Sequence, residues 1–314
     1  MMNDDRKKPF ALKGLSVLLT VALIAPALLC SCSANAPESG ALGQPRETDA
    51  LQSQVNDESA LSLEGVLQAA QEAAAPYGDA VAIVVAPLNS AEIAAVNGSQ
   101  VFTAASMIKL LILAELFYEV DQGNIDLNET YTLQYSDMVG GSGRLQQMGV
   151  GSEFTYDELA YYMIAFSDNV ATNILIDRLG FDAINQRAAD LGLEGTSLNR
   201  KMMDLNAGVE NYITANDAAF LLRGFAQGTL VSSDLCDRAE SYLLAQDDNL
   251  GLFDGLPESV PFGHKTGSLT TIRHDGGIVY GPNPYVIVVL CDIGAASANQ
   301  LMGDLSALVF AQMK

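Results

Sequence analysis

The chain has 314 residues and a formal net charge of −22 at pH 7, from 38 acidic and 16 basic residues. So acidic a protein repels polyanions, which makes nucleic acid and anionic membrane surfaces poor partners. Four cysteines do not make a disulfide scaffold at this length, and two histidines without neighbouring ligands, together with the lack of a glycine-rich phosphate loop, predict no metal and no cofactor.

The first 31 residues have the pattern of an export signal, with four basic residues ahead of an apolar run from Leu15 to Leu29. That run has the length of a signal-peptide core and is short for a membrane span. It ends at Leu29-Cys30-Ser31-Cys32, which resembles a bacterial lipobox, where cleavage leaves a lipidated cysteine at the new N-terminus. Cys32 follows a small serine and fits better than Cys30, which follows a leucine. The alternative is an ordinary signal peptide with incidental cysteines. We expect an exported cell-envelope protein, anchored by lipid to the outer face of the cytoplasmic membrane.

Residues 32–60 are rich in small and polar residues and show little apolar periodicity. This composition predicts a flexible tether between the anchor and the fold. The rest of the chain, residues 61–314, is long enough for one large domain or two interleaved lobes.

The first half of this region is predicted to begin with a helix and two strands and to continue with helices. Asn89 and Ser90 are the turn residues between the strands, and Thr155 is a helix N-cap with Glu158 three residues further on. The predicted helix after Ser106 places that serine at a helix N-terminus, where free N–H groups favour developing negative charge. The predicted helices are Leu61 to Ala75, Met107 to Val120, Tyr156 to Phe166 and Val170 to Leu179, and the strands are Ala80 to Ala86 and Glu92 to Val96.

The C-terminal part changes to a strand pattern, with Pro261 to Thr266, Arg273 to Tyr280 and Tyr285 to Asp292, before a last helix from about Ser297 to Met313. Strands at both ends with helices between them predict an antiparallel β-sheet flanked by helices, plus a mainly helical lobe. The sheet lobe would comprise about residues 61–100 and 258–314, and the helical lobe about 101–257. A site would lie in the cleft between them.

Two cysteines remain outside the leader junction. Cys236 falls in a helical stretch, and Cys291 belongs to a buried strand. A bridge between them has no support from their spacing.

Three short strings carry the chemistry, and they occur in the order that one acyl-transfer site needs. The first puts a hydroxyl and an amine one helical turn apart, so that the amine can take the proton of the hydroxyl. The second offers another hydroxyl and an amide, and the third a cation beside a short hydroxyl. The strings are Ser106-Met107-Ile108-Lys109, Ser167-Asp168-Asn169 and Lys265-Thr266-Gly267.

The placement of the lysines strengthens this interpretation. Of seven lysines, three lie in the leader, one is the last residue, and only Lys109, Lys201 and Lys265 lie within the predicted fold. Two of those three belong to the strings. Taken singly, each string would more often be a surface feature, a helix cap or a turn.

The order and separations of the strings resemble those of class A serine β-lactamases and their penicillin-binding relatives. The similarity extends to Phe102-Thr103-Ala104-Ala105 before Ser106, to the run from Ala165 to Asn173, and to His264 before Lys265. It covers about residues 61–314 and implies the two-lobe fold of that family.

The resemblance also implies a role for each matching residue. Ser106 would attack an amide carbonyl, Lys109 is the candidate base, and Ser167 would pass a proton to the leaving nitrogen. The backbone N–H groups of Ser106 and Ser268 would form an oxyanion hole. The substrate-binding residues would be Asn169 for the amide side chain and Lys265, Thr266 and Gly267 for the carboxylate.

Arg273 would add a third cation to a local basic spot suited to a substrate carboxylate. The alternative, equally weighted, is that Arg273 forms a salt bridge with a neighbour such as Asp275.

One departure from the family concerns the water that hydrolyses the acyl-enzyme. In the family a loop glutamate activates this water, within a Glu-x-x-Leu-Asn pattern. Here Leu205 and Asn206 match, but Met202 stands in the position of the glutamate and cannot act as a base. Asp204 is the nearest carboxylate. Without a replacement base, deacylation would slow by about 10²–10⁴-fold.

The sequence therefore predicts a serine hydrolase that forms an acyl-enzyme on Ser106, with β-lactam hydrolysis, and hence antibiotic resistance, as the leading activity. One alternative is a penicillin-binding protein or D-alanyl-D-alanine peptidase that acts on cell-wall peptides. Another is a binding module that recognises β-lactams or wall fragments without turnover. We expect a monomer whose partners are small β-lactam or D-alanyl peptide substrates, with membrane contact only through the lipid anchor.

Overall fold

The computed structural model describes residues 63–314. The predicted signal peptide, the lipidation site Cys32, the tether and the first two residues of the first predicted helix lie outside the described residues.

The helices of the described part follow the sequence prediction closely where the apolar pattern is long. The first begins at Leu63, the long apolar helix ends at Asp121, and the last runs to Gln312. The helices are α1 (Leu63–Ala74), α2 (Lys109–Asp121), α3 (Tyr156–Ala165), α4 (Asn169–Leu179), α5 (Phe181–Asp190), α6 (Ala215–Ala226), α7 (Ser233–Leu244) and α8 (Ala295–Gln312). The strands are β1 (Val81–Pro87), β2 (Ala94–Val96), β3 (Val101–Thr103), β4 (Thr130–Thr132), β5 (Glu153–Thr155), β6 (Tyr212–Thr214), β7 (Phe262–Ser268), β8 (Arg273–Val279) and β9 (Tyr285–Cys291).

A five-stranded antiparallel sheet forms the framework, with strand order β2-β1-β9-β8-β7. N-terminal strands thus pair with C-terminal strands, for example Val84 with Val288. This confirms the predicted sheet built from the two ends of the chain. Strand β7, which carries Lys265, lies at the edge, so one side of its backbone is free of a neighbouring strand and faces the cleft.

Both faces of the sheet are buried, which explains why β1 and β9 are almost continuously apolar. Because side chains alternate along a strand, Val84 and Val288 pack toward the helices of the middle segment. Ile83 and Val289 point the other way and pack against α1 and α8. The sheet is therefore held between two apolar cores.

The middle of the chain forms the mainly helical part, as predicted. The capping box at the start of α3 is present, since Thr155 accepts a hydrogen bond from the Glu158 N–H and the Glu158 carboxylate accepts one from the Thr155 N–H. Helix α5 and the two small sheets, β3 with β6 and β4 with β5, were not predicted. Three-residue strands carry too little periodic pattern to be read from sequence.

Cys236 and Cys291 are both buried free thiols, on α7 and β9 respectively, so they do not form a bridge. Among the helices of residues 63–314, none combines the length and the apolar character needed to cross a membrane.

Candidate active site

Ser106 lies on a 3₁₀ turn, Ala105–Ile108, that leads directly into α2. The first hydrogen bond of this turn runs from the Met107 N–H to the Ala104 carbonyl at 3.0 Å, so the Ser106 N–H precedes the helical hydrogen bonds. Ala105 has φ of 45°, a conformation that costs a residue with a side chain about 1–3 kcal/mol. This sharp entry presents the half-buried Ser106 at the cleft.

Gly267 explains why β7 can approach the nucleophile turn so closely. A Cβ atom added at this position would lie 3.2 Å from both the Ala104 carbonyl oxygen and the Met107 nitrogen. The glycine therefore serves close packing of the edge strand on the Ser106 turn. It brings Ser268 to the cleft together with Ser106, as the predicted oxyanion hole requires.

Lys109 projects from the first turn of α2 and is fully buried. Its Nζ atom lies 2.6 Å from the Ser167 carbonyl oxygen, 3.2 Å from Ser167 Oγ and 3.1 Å from Asn169 Oδ1. The structure thus joins the first two predicted strings, although they are about 60 residues apart in sequence.

Burial lowers the pKa of Lys109 well below that of an ordinary lysine, because the interior penalises the ammonium form. The charge of Lys265 lowers this pKa further, and the carboxylate of Asp168 works in the opposite direction. A neutral amine at this position can accept a proton, which a lysine in water at neutral pH cannot.

Ser167 connects the two buried lysines. Lys265 Nζ donates to Ser167 Oγ at 3.0 Å, and Lys109 Nζ lies on the same oxygen. Ser167 has φ of 50°, a left-handed conformation in the break between α3 and α4 that turns its side chain into the cleft. A proton can therefore pass from one amine to the other through this hydroxyl.

Asp168 fixes this break. Its buried carboxylate caps α4 by accepting the Ala171 N–H at 2.9 Å, and it also accepts the N–H groups of Arg144 at 2.5 Å and Leu145 at 2.8 Å. Gly143 must be a glycine here, because its φ is +118° and a Cβ would lie 2.3 Å from the carboxylate. Asp168 thus holds the cleft loop against the helix that carries the second string.

Asn169 occupies the other side of Ser106. Its side-chain amide donates to the Gly140 carbonyl at 3.1 Å, and its Oδ1 accepts from Lys109. It lines a part of the cleft together with Ser106 and Met202. Asn169 therefore lies beside Ser106, as its predicted role in holding the amide side chain of a substrate requires.

Lys265 and Thr266 lie at the cleft end of β7, where Thr266 and Ser268 line the cavity beside Ser106. Burial lowers the pKa of Lys265 to about 7, although the carboxylates of Asp248 and Asp275 act to raise it. The lysine therefore titrates near neutral pH.

Arg273 is engaged by a carboxylate, and its partner is Asp248 instead of Asp275. The guanidinium donates to both carboxylate oxygens, at 2.5 and 3.1 Å. Its Nε donates to Asn299 at 2.9 Å. Asp248, which the sequence did not single out, belongs to the loop after α7 and lines the cleft.

Met202 lines the cleft beside Ser106 and Asn169 and is almost completely buried. Asn173 on α4 pins its backbone from both sides, accepting the Met202 N–H at 2.8 Å and donating to the Met202 carbonyl at 3.1 Å. Met203 follows with φ of 65°. The position that the sequence resemblance aligned with the family's glutamate is thus occupied by a buried thioether.

Asp204 does not reach the cleft. It is exposed, its carboxylate accepts the Asn206 N–H at 3.2 Å, and it is absent from the cleft lining. The carboxylate that does line this part of the cleft is Glu210, which is held by Arg200 Nη2 at 2.7 Å. Asp204, two positions further along the loop than Met202, is therefore exposed to solvent.

His274 was not predicted to matter, but it ties the nucleophile segment to the sheet. Its Nε2 lies 2.9 Å from the Thr103 carbonyl oxygen, three residues before Ser106, and its Nδ1 accepts the Cys291 N–H at 3.0 Å. The proton must therefore be on Nε2. A histidine in a buried strand gives no sequence signal for such a contact.

A family model described as the β-lactamase enzyme family matches residues 66–313 of the chain. Among curated proteins, the chain is 28% identical over 153 residues to β-lactamase PSE-4 of Pseudomonas aeruginosa. That match covers 47% of this chain and 53% of PSE-4, so the chain spans about half the length of this relative.

Solved structures match over a larger part of the chain. A β-lactamase from Sphaerobacter thermophilus superimposes with a TM-score of 0.73 at 30% identity, covering 80% of this chain and 97% of that one. PBP-A, solved as a leucine-to-glutamate mutant in an acyl-enzyme complex with penicillin G, gives the same TM-score and identity, with 79% and 96% coverage.

Proposed function

The chain belongs to the β-lactamase enzyme family, as a serine hydrolase of the β-lactamase and penicillin-binding type, and we propose that it opens β-lactam amides through an acyl-enzyme on Ser106. The observation that carries this proposal is the convergence of Ser106, Lys109, Ser167 and Lys265 on one cleft from three separate segments. The penicillin G acyl-enzyme of PBP-A supports acylation as the chemistry of this site.

Acylation would proceed with Lys109 as the base. Its depressed pKa supplies a neutral amine next to the Ser106 turn. Ser106 Oγ forms no side-chain hydrogen bond within residues 63–314 and faces the cleft, so it is available to attack. As the C–N bond breaks, Ser167 donates a proton to the leaving nitrogen and recovers one from the adjacent amines. The N–H groups of Ser106 and Ser268 stabilise the oxyanion.

Deacylation would be slow. Met202 provides no base, Asp204 faces solvent, and Glu210 is paired with Arg200. Loss of general-base assistance costs about 10²–10⁴-fold in rate. We therefore favour a penicillin-binding type of behaviour, in which the adduct outlasts the acylation step. A wall-peptide substrate is the second candidate, because an acyl-enzyme that lasts can be transferred as well as hydrolysed.

Intact-protein mass during incubation with penicillin G and with a chromogenic cephalosporin tests the proposal. We expect an adduct of one β-lactam per chain that decays over many minutes with release of the opened product. An adduct too short-lived to accumulate, with fast product release, would instead identify an efficient β-lactamase. Absence of both adduct and product would refute acyl-enzyme formation.

Ser106→Ala should abolish the adduct, because the other hydroxyl beside Lys109, that of Ser167, is already hydrogen-bonded to both lysines and serves the proton transfer. Ser142→Ala is the matched control, since Ser142 lines the same cleft without a place in the proton path. Labelling that survives in the Ser106 variant would assign the nucleophile to another residue.

We also propose that the protein is exported and anchored as a monomer through a lipid on Cys32, on the basis of the lipobox-like sequence. In cells fed a labelled fatty acid, the native chain should carry the label and Cys32→Ser should not. Cys30→Ser is the control. Label retained in Cys32→Ser and lost in Cys30→Ser would move the site to Cys30.

A further inference from the structure

The ion pair between Arg273 and Asp248 lies inside the cleft. The Arg273 side chain is 5% exposed and that of Asp248 is 30% exposed, so the carboxylate covers the guanidinium on the side of the opening. Asp248 lines the same part of the cleft as Ser106, Thr266 and Ser268. A substrate that enters here meets a carboxylate before it meets Arg273.

Arg273 has no N–H left for a ligand. A guanidinium has five N–H donors. Nε donates to Asn299, Nη1 to Asp248 and to Ser268 Oγ at 3.1 Å, and Nη2 to Asp248 and to the Leu250 carbonyl at 3.3 Å. All five donors are therefore used, and an incoming carboxylate can bind Arg273 only by displacing one of these partners.

Thr266 and Lys265, the other two residues assigned to a substrate carboxylate, also interact with Asp248. Burial alone would raise the pKa of Asp248. The hydrogen bonds and the charge of Arg273, together with a hydrogen bond from the Thr266 side chain, have the larger effect and lower this pKa. Asp248 is in turn the carboxylate that does most to favour the charged form of Lys265 and so to raise its pKa. The carboxylate of Asp248 thus makes the interactions with Arg273, Thr266 and Lys265 that a bound substrate carboxylate would make.

We propose that Asp248 is a specificity-determining residue that occupies the carboxylate subsite of the cleft. The inference rests on the proposed function, because that function assigns Lys265, Thr266 and Arg273 to the substrate carboxylate. Two carboxylates in one subsite repel each other, and rejection of a like charge is a common basis of specificity. The native protein accordingly favours acyl donors without a free carboxylate beside the scissile amide, such as penicillin esters, over the parent acids.

Equilibrium binding to the Ser106→Ala protein tests this without any chemistry, using penicillin G and its methyl ester in titration calorimetry. The titrations are run at about pH 5, because Lys265 has a pKa of about 7 and the loss of the Asp248 charge lowers that pKa in the variant. Adding Asp248→Asn should strengthen penicillin G binding by about tenfold or more, the effect of removing one close like charge, and change ester binding by no more than about twofold.

Asp247→Asn is the matched control, because it removes a neighbouring negative charge that lines the same cavity but is half-exposed and paired with Arg144. It should change the binding of penicillin G by no more than about twofold. Asp248→Ser guards against an effect peculiar to the asparagine, and the melting temperature of each variant verifies folding. No gain for penicillin G, or an equal gain for both ligands, would overturn the inference.

The same two ligands separate this inference from the proposed function. The adduct on native Ser106 reports the function, and the binding ratio in the Ser106→Ala background reports the subsite. If the native protein never forms an adduct but Asp248→Asn selectively strengthens penicillin G binding, the proposed function is refuted and the inference about the subsite is supported.

Discussion

At the scale of single residues, the two buried lysines give the cleft its chemistry. A lysine is almost never fully buried unless it is paired, and here Lys109 and Lys265 are both buried and both contact Ser167. Burial and mutual repulsion favour the neutral form of Lys109, which lets it serve as a base. Burial also lowers the pKa of Lys265 to about 7. The Ser167 hydroxyl therefore lies between a neutral amine and a lysine that is partly charged at neutral pH.

The rate of acylation by a carboxylate substrate should therefore decrease at alkaline pH. Since burial lowers the pKa of Lys265 to about 7, its ammonium form is lost as pH rises through that value, and with it the attraction for a carboxylate substrate. The rate of adduct formation with penicillin G should decrease above about pH 7. Lys265→Arg should remove this decrease, because a guanidinium stays charged.

Lys201→Arg is the control for that experiment, since Lys201 forms a surface pair with Asp177 at 2.5 Å, away from the cleft. An alkaline decrease that persists unchanged in Lys265→Arg would assign the titration to a different group.

His274 should make the fold sensitive to acid. Burial lowers its pKa to about 4 from 6.5, because the interior penalises the charged imidazolium. The unfolded chain then binds the proton first, so this stability is present above about pH 6.5 and is lost as pH falls toward 4. The loss amounts to about 3 kcal/mol.

Urea unfolding at several pH values measures this effect. In His274→Gln, whose amide does not titrate, the free energy of unfolding should depend less on pH between 6.5 and 4, even if the variant is less stable overall. Equal slopes in the native protein and the variant would show that other groups control acid unfolding.

The site residues that could be predicted from the sequence are those that belong to short strings. Ser106, Lys109, Ser167 and Lys265 were all identified from their spacing, and the structure brings them together. The partner of Arg273 could not be identified, because Asp248 lies 25 residues upstream in a loop that carries no pattern of its own. Contacts between distant loops depend on tertiary packing, which periodicity does not report.

At the scale of elements, the loop around Met202 is the part of the cleft that we propose to control the lifetime of the acyl-enzyme. Arg200 pairs with Glu210 across the loop, and Asn211 accepts the N–H groups of Asn199 and Arg200 and donates to the Arg200 carbonyl. The Asn211 carbonyl in turn accepts the Ala104 N–H at 2.7 Å. The loop is thus fixed directly to the nucleophile segment, and its shape depends little on the Met202 side chain.

Met202→Glu should consequently speed deacylation. Asn173 holds the backbone at this position, so a glutamate side chain would enter the part of the cleft that contains Ser106 and Asn169. A correctly placed general base accelerates such a step by about 10²–10⁴-fold. The decay of the penicillin G adduct, followed by mass, measures the gain.

Asp204→Asn is the control on the same loop, and it should leave adduct decay unchanged because Asp204 is exposed outside the cleft. Slower decay in that variant would restore Asp204 as the base. A Met202→Glu protein that folds and acylates but decays at the native rate would show that a carboxylate here does not reach the water.

Elements with long apolar patterns were predicted to within a few residues, whereas the short ones were missed. β9 and α2 were anticipated because a strand buried on both faces and a helix buried all round each produce a long apolar run. The pairing of β3 with β6 joins Val101 to Thr214, more than 100 residues apart. Such a pairing depends on how distant segments of the chain pack together, and no local signal specifies it.

At the scale of the whole molecule, the cleft is a small group of cations within a strongly acidic protein. The formal net charge is −22, while Arg144 and Arg273 at the cleft are each paired with an aspartate. The long-range field seen by an approaching ligand is therefore set by the acidic surface. Removal of the basic leader would make the remaining chain still more acidic, since the first 31 residues hold four basic and two acidic side chains.

An anionic β-lactam should accordingly be repelled on approach, and salt should relieve that repulsion. The Debye length shortens from about 30 Å at 0.01 M ionic strength to about 8 Å at 0.15 M, which screens the distant acidic residues. The second-order rate of adduct formation with penicillin G should increase by up to about tenfold over this range, which is the lower end of known electrostatic effects on association rates. The rate with the uncharged methyl ester should stay constant, and this ester is the control for salt effects on the protein itself. A rate for penicillin G that falls with salt would mean that the cleft cations dominate the field, and an equal rise for both ligands would mean that salt changes the enzyme and not the encounter.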